Sequence, residues 1–221
     1  MTVTASSART RTRGLARLDR VTALRLAGAA LGLGGAVILL GIITAEALYP
    51  GYSTAANEIS DLGGTRPPEA LVLQPSATIF DAAMLVVGGL TLVAALLAHQ
   101  AGTGRGATLP LAVLGIGAIG VGVFPGYTGA PHALFSMITF VAGGIAAISS
   151  SLAARGPIRW LFGVLGTLAL VTLASSVVLG DASPLIELGI GGLERWIVYP
   201  IVVWLVAFGG YLAGAQAPGT D

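Results

Sequence analysis

The sequence predicts an all-α, polytopic membrane protein: a six-helix transmembrane bundle with both termini in the cytoplasm. Three observations carry this. Only 10% of the 221 residues are charged and 55% are apolar, with a mean hydropathy of +0.88, whereas a soluble domain carries about a quarter charged residues. Apolar runs of roughly 20 residues, the length that crosses a hydrocarbon core of ~30 Å, recur six times. Basic and acidic residues fall on alternate connections between the runs.

In order, the spans read as Leu24–Leu48, Pro75–Ala98, Thr108–Phe124, Pro131–Leu152, Ile158–Leu179 and Leu193–Leu212. They make one membrane domain over residues 23–214, flanked by a disordered basic cytosolic tail (1–22) and a short cytosolic tail (215–221). The first span is longer than the 7–15 residue apolar stretch of a signal peptide, so it is read as an uncleaved anchor. Pro75, Pro110, Pro131 and Pro157 fall at or near first-turn positions, where a missing N–H costs nothing. Pro200 lies inside span six and predicts a kink or local unwinding.

Orientation follows from the enrichment of short cytoplasmic segments in basic residues. Arg9, Arg11, Arg13, Arg17, Arg20, Arg25, Arg105, Arg155 and Arg159 lie on one side, and only Arg66 and Arg195 on the other. The side with the nine arginines is read as cytoplasmic. Glu46, Glu58, Asp61, Glu69, Asp81, Asp181, Glu187 and Glu194 gather on the opposite side, which is then the outer face of a cell membrane. Trp204 alone among the tryptophans sits near mid-membrane, where its indole N–H needs a partner if it is buried.

Tyr49-Pro50-Gly51-Tyr52-Ser53 after span one and Phe124-Pro125-Gly126-Tyr127-Thr128 after span three match in pattern. Spans one–two and three–four are either duplicated hairpins or alike through shared interfacial chemistry. Gly28 with Gly32, and Gly210 with Gly214, have the small-xxx-small spacing of close helix packing, within the bundle or across a homodimer.

The polar residues of the outer face are the candidate site. In Asn57-Glu58-Ile59-Ser60-Asp61-Leu62-Gly63-Gly64 a short helix would project Asn57 and Asp61 from one face and end at the glycines. Asp81 falls about 9 Å inside span two at ~1.5 Å per residue, where a carboxylate without partners is costly. His132 follows Pro131 in the first turn of span four. Glu194 and Arg195 open span six; adjacent helical residues point about 100° apart, so each pairs with another segment rather than with its neighbour. Arg195 is offered Glu46, Glu58, Asp61 or Asp81, as a structural ion pair or as a receptor for an anionic headgroup or carboxylate.

Cysteine is absent, and His99 lies on the face opposite His132, so thiol chemistry, zinc and other metal sites are not expected. No cofactor and no catalytic residue is assigned. Ser53, Ser60 and Ser136 could pair with His132, but no nucleophile-elbow motif is present.

Asn57-Glu58-Ile59-Ser60-Asp61-Leu62-Gly63, then Gly122-Val123-Phe124-Pro125 with His132, then Gly192-Leu193-Glu194-Arg195 with Tyr199-Pro200 and Trp204, together resemble the prokaryotic integral-membrane family called domain of unknown function 998. The resemblance spans about residues 24–212 and implies a six-helix membrane protein, with no activity attached. Three functions stay open. Asn57, Glu58, Asp61, Asp81, His132, Glu194 and Arg195 would form an outward-facing polar vestibule that binds or transports a small solute or lipid headgroup. Alternatively the chain is a non-catalytic membrane sensor or assembly partner, or an enzyme acting on outer-leaflet lipids through a pair such as Asp61 and His132. The expected partners are the bilayer and that solute or headgroup, with a second copy of the chain through Gly28/Gly32 or Gly210/Gly214, and no nucleic acid.

Overall fold

The structure is a computed structural model that describes residues 18–214. The expected tails before residue 18, with Arg9, Arg11, Arg13 and Arg17, and from residue 215 onward lie outside the described residues. Six helices are long and apolar enough to cross a membrane: α1 (Arg20–Leu48), α2 (Ser76–Gln100), α3 (Arg105–Val123), α4 (Ala130–Ala153), α5 (Ile158–Leu179) and α6 (Gly189–Ala213). The protein is an all-α, multi-pass membrane bundle. Between α1 and α2, Ile59–Leu62 forms one 3-10 turn, called the plug below because Ile59 and Leu62 are buried among the helices.

Helix ends depart from the apolar runs where backbone chemistry rather than hydropathy decides them. Helix α1 starts at Arg20 instead of Leu24 because Asp19 caps it, its carboxylate accepting the Thr22 amide at 3.0 Å. Helices α3 and α6 likewise begin earlier than their apolar runs, at Arg105 instead of Thr108 and at Gly189 instead of Leu193. Pro110 is therefore inside α3 rather than near its first turn. Helix α6 also runs unbroken through Pro200, with no unwound segment.

Consecutive helices pack as antiparallel neighbours, and α6 returns to pack on α1, closing a ring. Helices α4 and α6 touch directly as well. At that contact a side chain on Gly143 would strike Ile201, and the Trp204 indole N–H donates to Ser150 Oγ at 2.8 Å. Trp204 is fully enclosed and stacks on Phe208, which answers the need of its mid-membrane N–H. With α4 and α6 in contact, α5 is left at the periphery, and it has the smallest buried share of the six.

The closest crossing joins α1 to α6. A Cβ on Gly28 would collide with the backbone of Gly209 and Ala213, and one on Gly209 with the backbone of Gly28 and Gly32. Gly28 is thus occupied by α6 within the bundle, whereas a Cβ on Gly32 would meet open space. Gly210 has open space around it.

The two Pro-Gly-Tyr segments are alike only where proline dictates it. Tyr49 and Phe124 both leave the helical region, which proline disfavours for the residue before it. Beyond that they diverge: Gly51 adopts φ +76° with open space around it, whereas Gly126 is pressed against the Gly64 carbonyl.

Gly209→Leu is expected to destabilise the bundle by more than the ~1–3 kcal/mol of ordinary overpacking, since backbone cannot yield as side chains do. Gly210→Leu should be neutral. Thermal unfolding of the two variants in detergent checks the contrast.

Candidate functional site

Everything polar that the sequence singled out lies at one end of the bundle, capped by the Tyr49–Pro75 connection. That connection is folded down onto the helices by α6. The first turn of α6 comes so near that a Cβ on Gly189 or Gly191 would overlap backbone of Thr54, Ala55 or Asn57. The Gly191 amide donates to the Ala55 carbonyl at 2.9 Å. Glycine here is a requirement of contact, and at Gly189 also of backbone angle, φ being +71°.

Arg195 fixes the middle of the connection. Its Nη1 donates to the carbonyls of Thr54 (2.8 Å), Asn57 (3.1 Å) and Gly191 (2.8 Å), and its Nη2 to Glu46 Oε1 (2.6 Å) and to the Tyr52 hydroxyl (2.8 Å). The Tyr52 hydroxyl passes its own proton on to the Glu58 carbonyl at 2.8 Å. Burial pushes the Tyr52 phenol well above its ordinary range, although the hydrogen bond and charge of Arg195 pull the other way, so it stays neutral. Of the four acids that could have paired with Arg195, the structure selects Glu46, and the ion pair is nearly enclosed, with 10% and 18% of the two side chains exposed.

Glu194, one residue earlier and about 100° round the helix, takes the plug. One of its carboxylate oxygens accepts the amides of both Ile59 and Ser60, the first donors of the 3-10 turn. Within the plug, Glu58 and Asp61 form a reciprocal capping box, the Asp61 carboxylate accepting the Glu58 amide at 3.0 Å. Glu58 also pairs with Arg66 at 2.6 Å. Asn57 Oδ1 accepts the Ser53 amide at 3.0 Å. The plug's C-terminal end meets α2: Ser76 Oγ donates to the Leu62 carbonyl at 3.4 Å, and Asp81 Oδ1 lies against Gly63, buried and without a hydrogen-bond partner.

His132 is held apart from this cluster. Its Nδ1–H donates to the Phe124 carbonyl at 2.8 Å, which fixes the tautomer and leaves Nε2 to accept the Ser136 hydroxyl at 3.2 Å. Asp61 and His132 are not hydrogen-bonded, so the expected acid–base pair is not assembled. The seven expected residues share one end, where Ile59 and Leu62 of the plug are buried among the helices. Arg195 has both terminal nitrogens engaged, and its Nε is buried without a partner.

Directly beneath the plug is a cavity of about 70 Å³. Ile59, Ser60 and Glu194 lie at its capped end, and its walls come from α1 (Ile38, Ile42), α2 (Phe80, Met84, Val87), α3, α4 and α6. Ser60, Ser136 and Thr139 border it, yet the surface it presents is almost wholly carbon. Thr139 Oγ1 donates to Phe135 O and Ser136 Oγ to His132, which turns those oxygens into the helices. No group of His, Asp, Glu or Cys among the described residues is placed to hold a metal. Sequence reasoning missed Tyr52, which stood out there only as part of the matched Pro-Gly-Tyr pattern. The Ser136–His132 bond was foreshadowed by i, i+4 spacing on one helix.

A family model described as "Protein of unknown function (DUF998)" matches residues 32–211. No curated protein and no solved structure matches the chain.

Arg195→Ala should cost ~3–5 kcal/mol, the usual penalty for stranding one member of a buried ion pair. It should expose the Thr54–Glu58 segment to protease while the six helices persist by circular dichroism. Arg195→Lys should rescue only partly, since an ammonium keeps the Glu46 contact but cannot span three carbonyls and a phenol. Glu58 gives a pH signature: burial holds its carboxyl above the ordinary range, although Arg66 pulls the other way. The folded state then binds this proton more tightly than the unfolded one. Stability is expected to fall as pH rises from the ordinary Glu value through the raised one, and Glu58→Gln should flatten that slope in thermal melts.

Proposed function

Because the chain belongs to the DUF998 family, whose description assigns no activity, we propose its role from the site itself: a non-enzymatic membrane protein that binds a small apolar molecule beneath the plug. The single observation behind this is the carbon-walled cavity of about 70 Å³, bordered by the plug and five of the six helices. A water-sized volume needs only ~10–15 Å³ by such a measure, but apolar cavities stay dry and accept apolar guests. The ligand class is accordingly a small hydrocarbon-like molecule that partitions into the bilayer, and not the charged solute or headgroup expected for a polar vestibule.

The plug is the lid in this reading. It closes the cavity from the capped end, and the Glu194 and Arg195 contacts decide how readily it lifts. The capped end faces outward and the termini lie in the cytoplasm of a cell membrane; the support is the distribution of arginines, with Arg105, Arg155 and Arg159 at the opposite end from the plug. An enzymatic role draws no support from His132 and Ser136, whose mutual bond is not joined by any oxyanion-stabilising donors.

Ala118→Phe or Val121→Phe, both on the cavity wall, should fill the space without touching the cap. Xenon, a small apolar probe, is expected to raise the melting temperature of the wild-type protein in nanodiscs and to leave both filled variants unchanged. Equal shifts in all three would refute the cavity as the binding site.

A further inference from the structure

A second site lies on the outside of the bundle, in a cleft of about 540 Å³ between α5 and α6. It runs from Thr54 and Ala55 at the capped end down to Leu165 and Val203 near the middle of the two helices. Arg195 to Val203 covers eight residues, or ~12 Å at 1.5 Å per residue, so the cleft descends through one leaflet. Its lower walls, Leu165, Leu168 and Val203, are aliphatic. Its upper part contains Arg195, Trp196, Tyr199 and Pro200.

Pro200 is the telling residue. It has no N–H, so the Trp196 carbonyl one turn earlier loses its ordinary helical donor. Trp196 and Pro200 both border the cleft. In hydrocarbon there is no water to supply the missing donor, and an unsatisfied backbone group there costs several kcal/mol. Tyr199, beside Arg195, adds a phenol at the same level. Arg195 itself adds no net charge to attract an anion, since Glu46 balances it and its Nη atoms are engaged.

We propose that this cleft binds a neutral bilayer lipid whose head is a free hydroxyl, of the diacylglycerol or isoprenoid-alcohol type. The hydroxyl donates to the Trp196 carbonyl and lies within reach of the Tyr199 phenol, and one chain descends between Leu165, Leu168 and Val203. The site is independent of the cavity under the plug: a lipid can occupy the cleft whether or not that cavity is filled.

The test uses the full chain in nanodiscs doped with a diacylglycerol probe carrying a photoactivatable diazirine in one chain, with a phosphatidic acid probe of the same chains in parallel. Cross-linked peptides are identified by mass spectrometry. Diacylglycerol adducts should concentrate on the Leu165–Leu168 and Trp196–Val203 stretches and fall at least five-fold in Leu168→Trp, which fills the cleft. Pro200→Ala should also reduce them by a similar factor, because it returns an N–H to Trp196 while leaving the cleft open. Adducts spread evenly over all lipid-facing helices, or unchanged in Leu168→Trp, would show annular lipid only and overturn the site. Phosphatidic acid labelling equal to or above that of diacylglycerol, or full labelling in Pro200→Ala, would overturn the hydroxyl assignment.

Discussion

The architecture of the capped end hangs on one guanidinium. Arg195 joins α1, through Glu46, to the loop carbonyls of Thr54 and Asn57 and to the Tyr52 hydroxyl, all from the first turns of α6. Arginine suits this place because its planar fork serves several acceptors at once and it is less strongly hydrated than an ammonium. Glu46 compensates the charge, and the loop carbonyls find donors that bulk water would otherwise supply. Remove the fork and three backbone carbonyls, a phenol and a carboxylate lose a partner together.

Glu194 completes the device by opposite chemistry. A carboxylate accepts only, so it meets the exposed amides at the start of the plug, while the guanidinium donates only, so it meets carbonyls. Their adjacency in sequence works because neighbouring helical positions diverge by about 100°, which sends Glu194 to the plug and Arg195 to α1 and the preceding loop. Glycines 189, 191 and 126 then let backbone meet backbone at distances a Cβ would forbid. Polar bonding sets where the loop lies, and the missing side chains set how close it comes.

The fold was readable from hydropathy because a bilayer imposes length and polarity on each span. Boundaries were less so: Arg20 and Arg105 are helical although the apolar runs stop short of them, and α6 starts at Gly189, ahead of its run at Leu193. The site was half legible. The plug sequence, its neighbouring Asp81, the Glu194-Arg195 pair and even Glu46 as a partner stood out as polar groups in the wrong solvent. Their closure into a solid cap did not, since it depends on Gly191 meeting Ala55 and on Gly126 meeting Gly64, contacts between segments far apart in sequence. Of the two outcomes expected at Pro200, unwinding does not occur, because one lost hydrogen bond leaves the neighbouring turns bonded.

A closed cap also decides what kind of molecule the interior can select. Polar side chains normally specify polar ligands, yet three of those around the cavity are engaged by protein partners: Glu194 by the plug amides, Ser136 by the His132 ring, Thr139 by a helical carbonyl. What remains facing the cavity is carbon, so burial of apolar surface is the available driving force and the guest must supply it. Asp81 Oδ1 is the exception, buried against Gly63 without a donor. It lies outside the cavity wall, at the plug's C-terminal end, where the Ser60, Asp61 and Leu62 carbonyls already accept hydrogen bonds from Gly63, Gly64 and Ser76. Glu194 meets the amides at the other end. The plug is therefore held at its start and at its finish, and both sets of contacts must break together for it to lift.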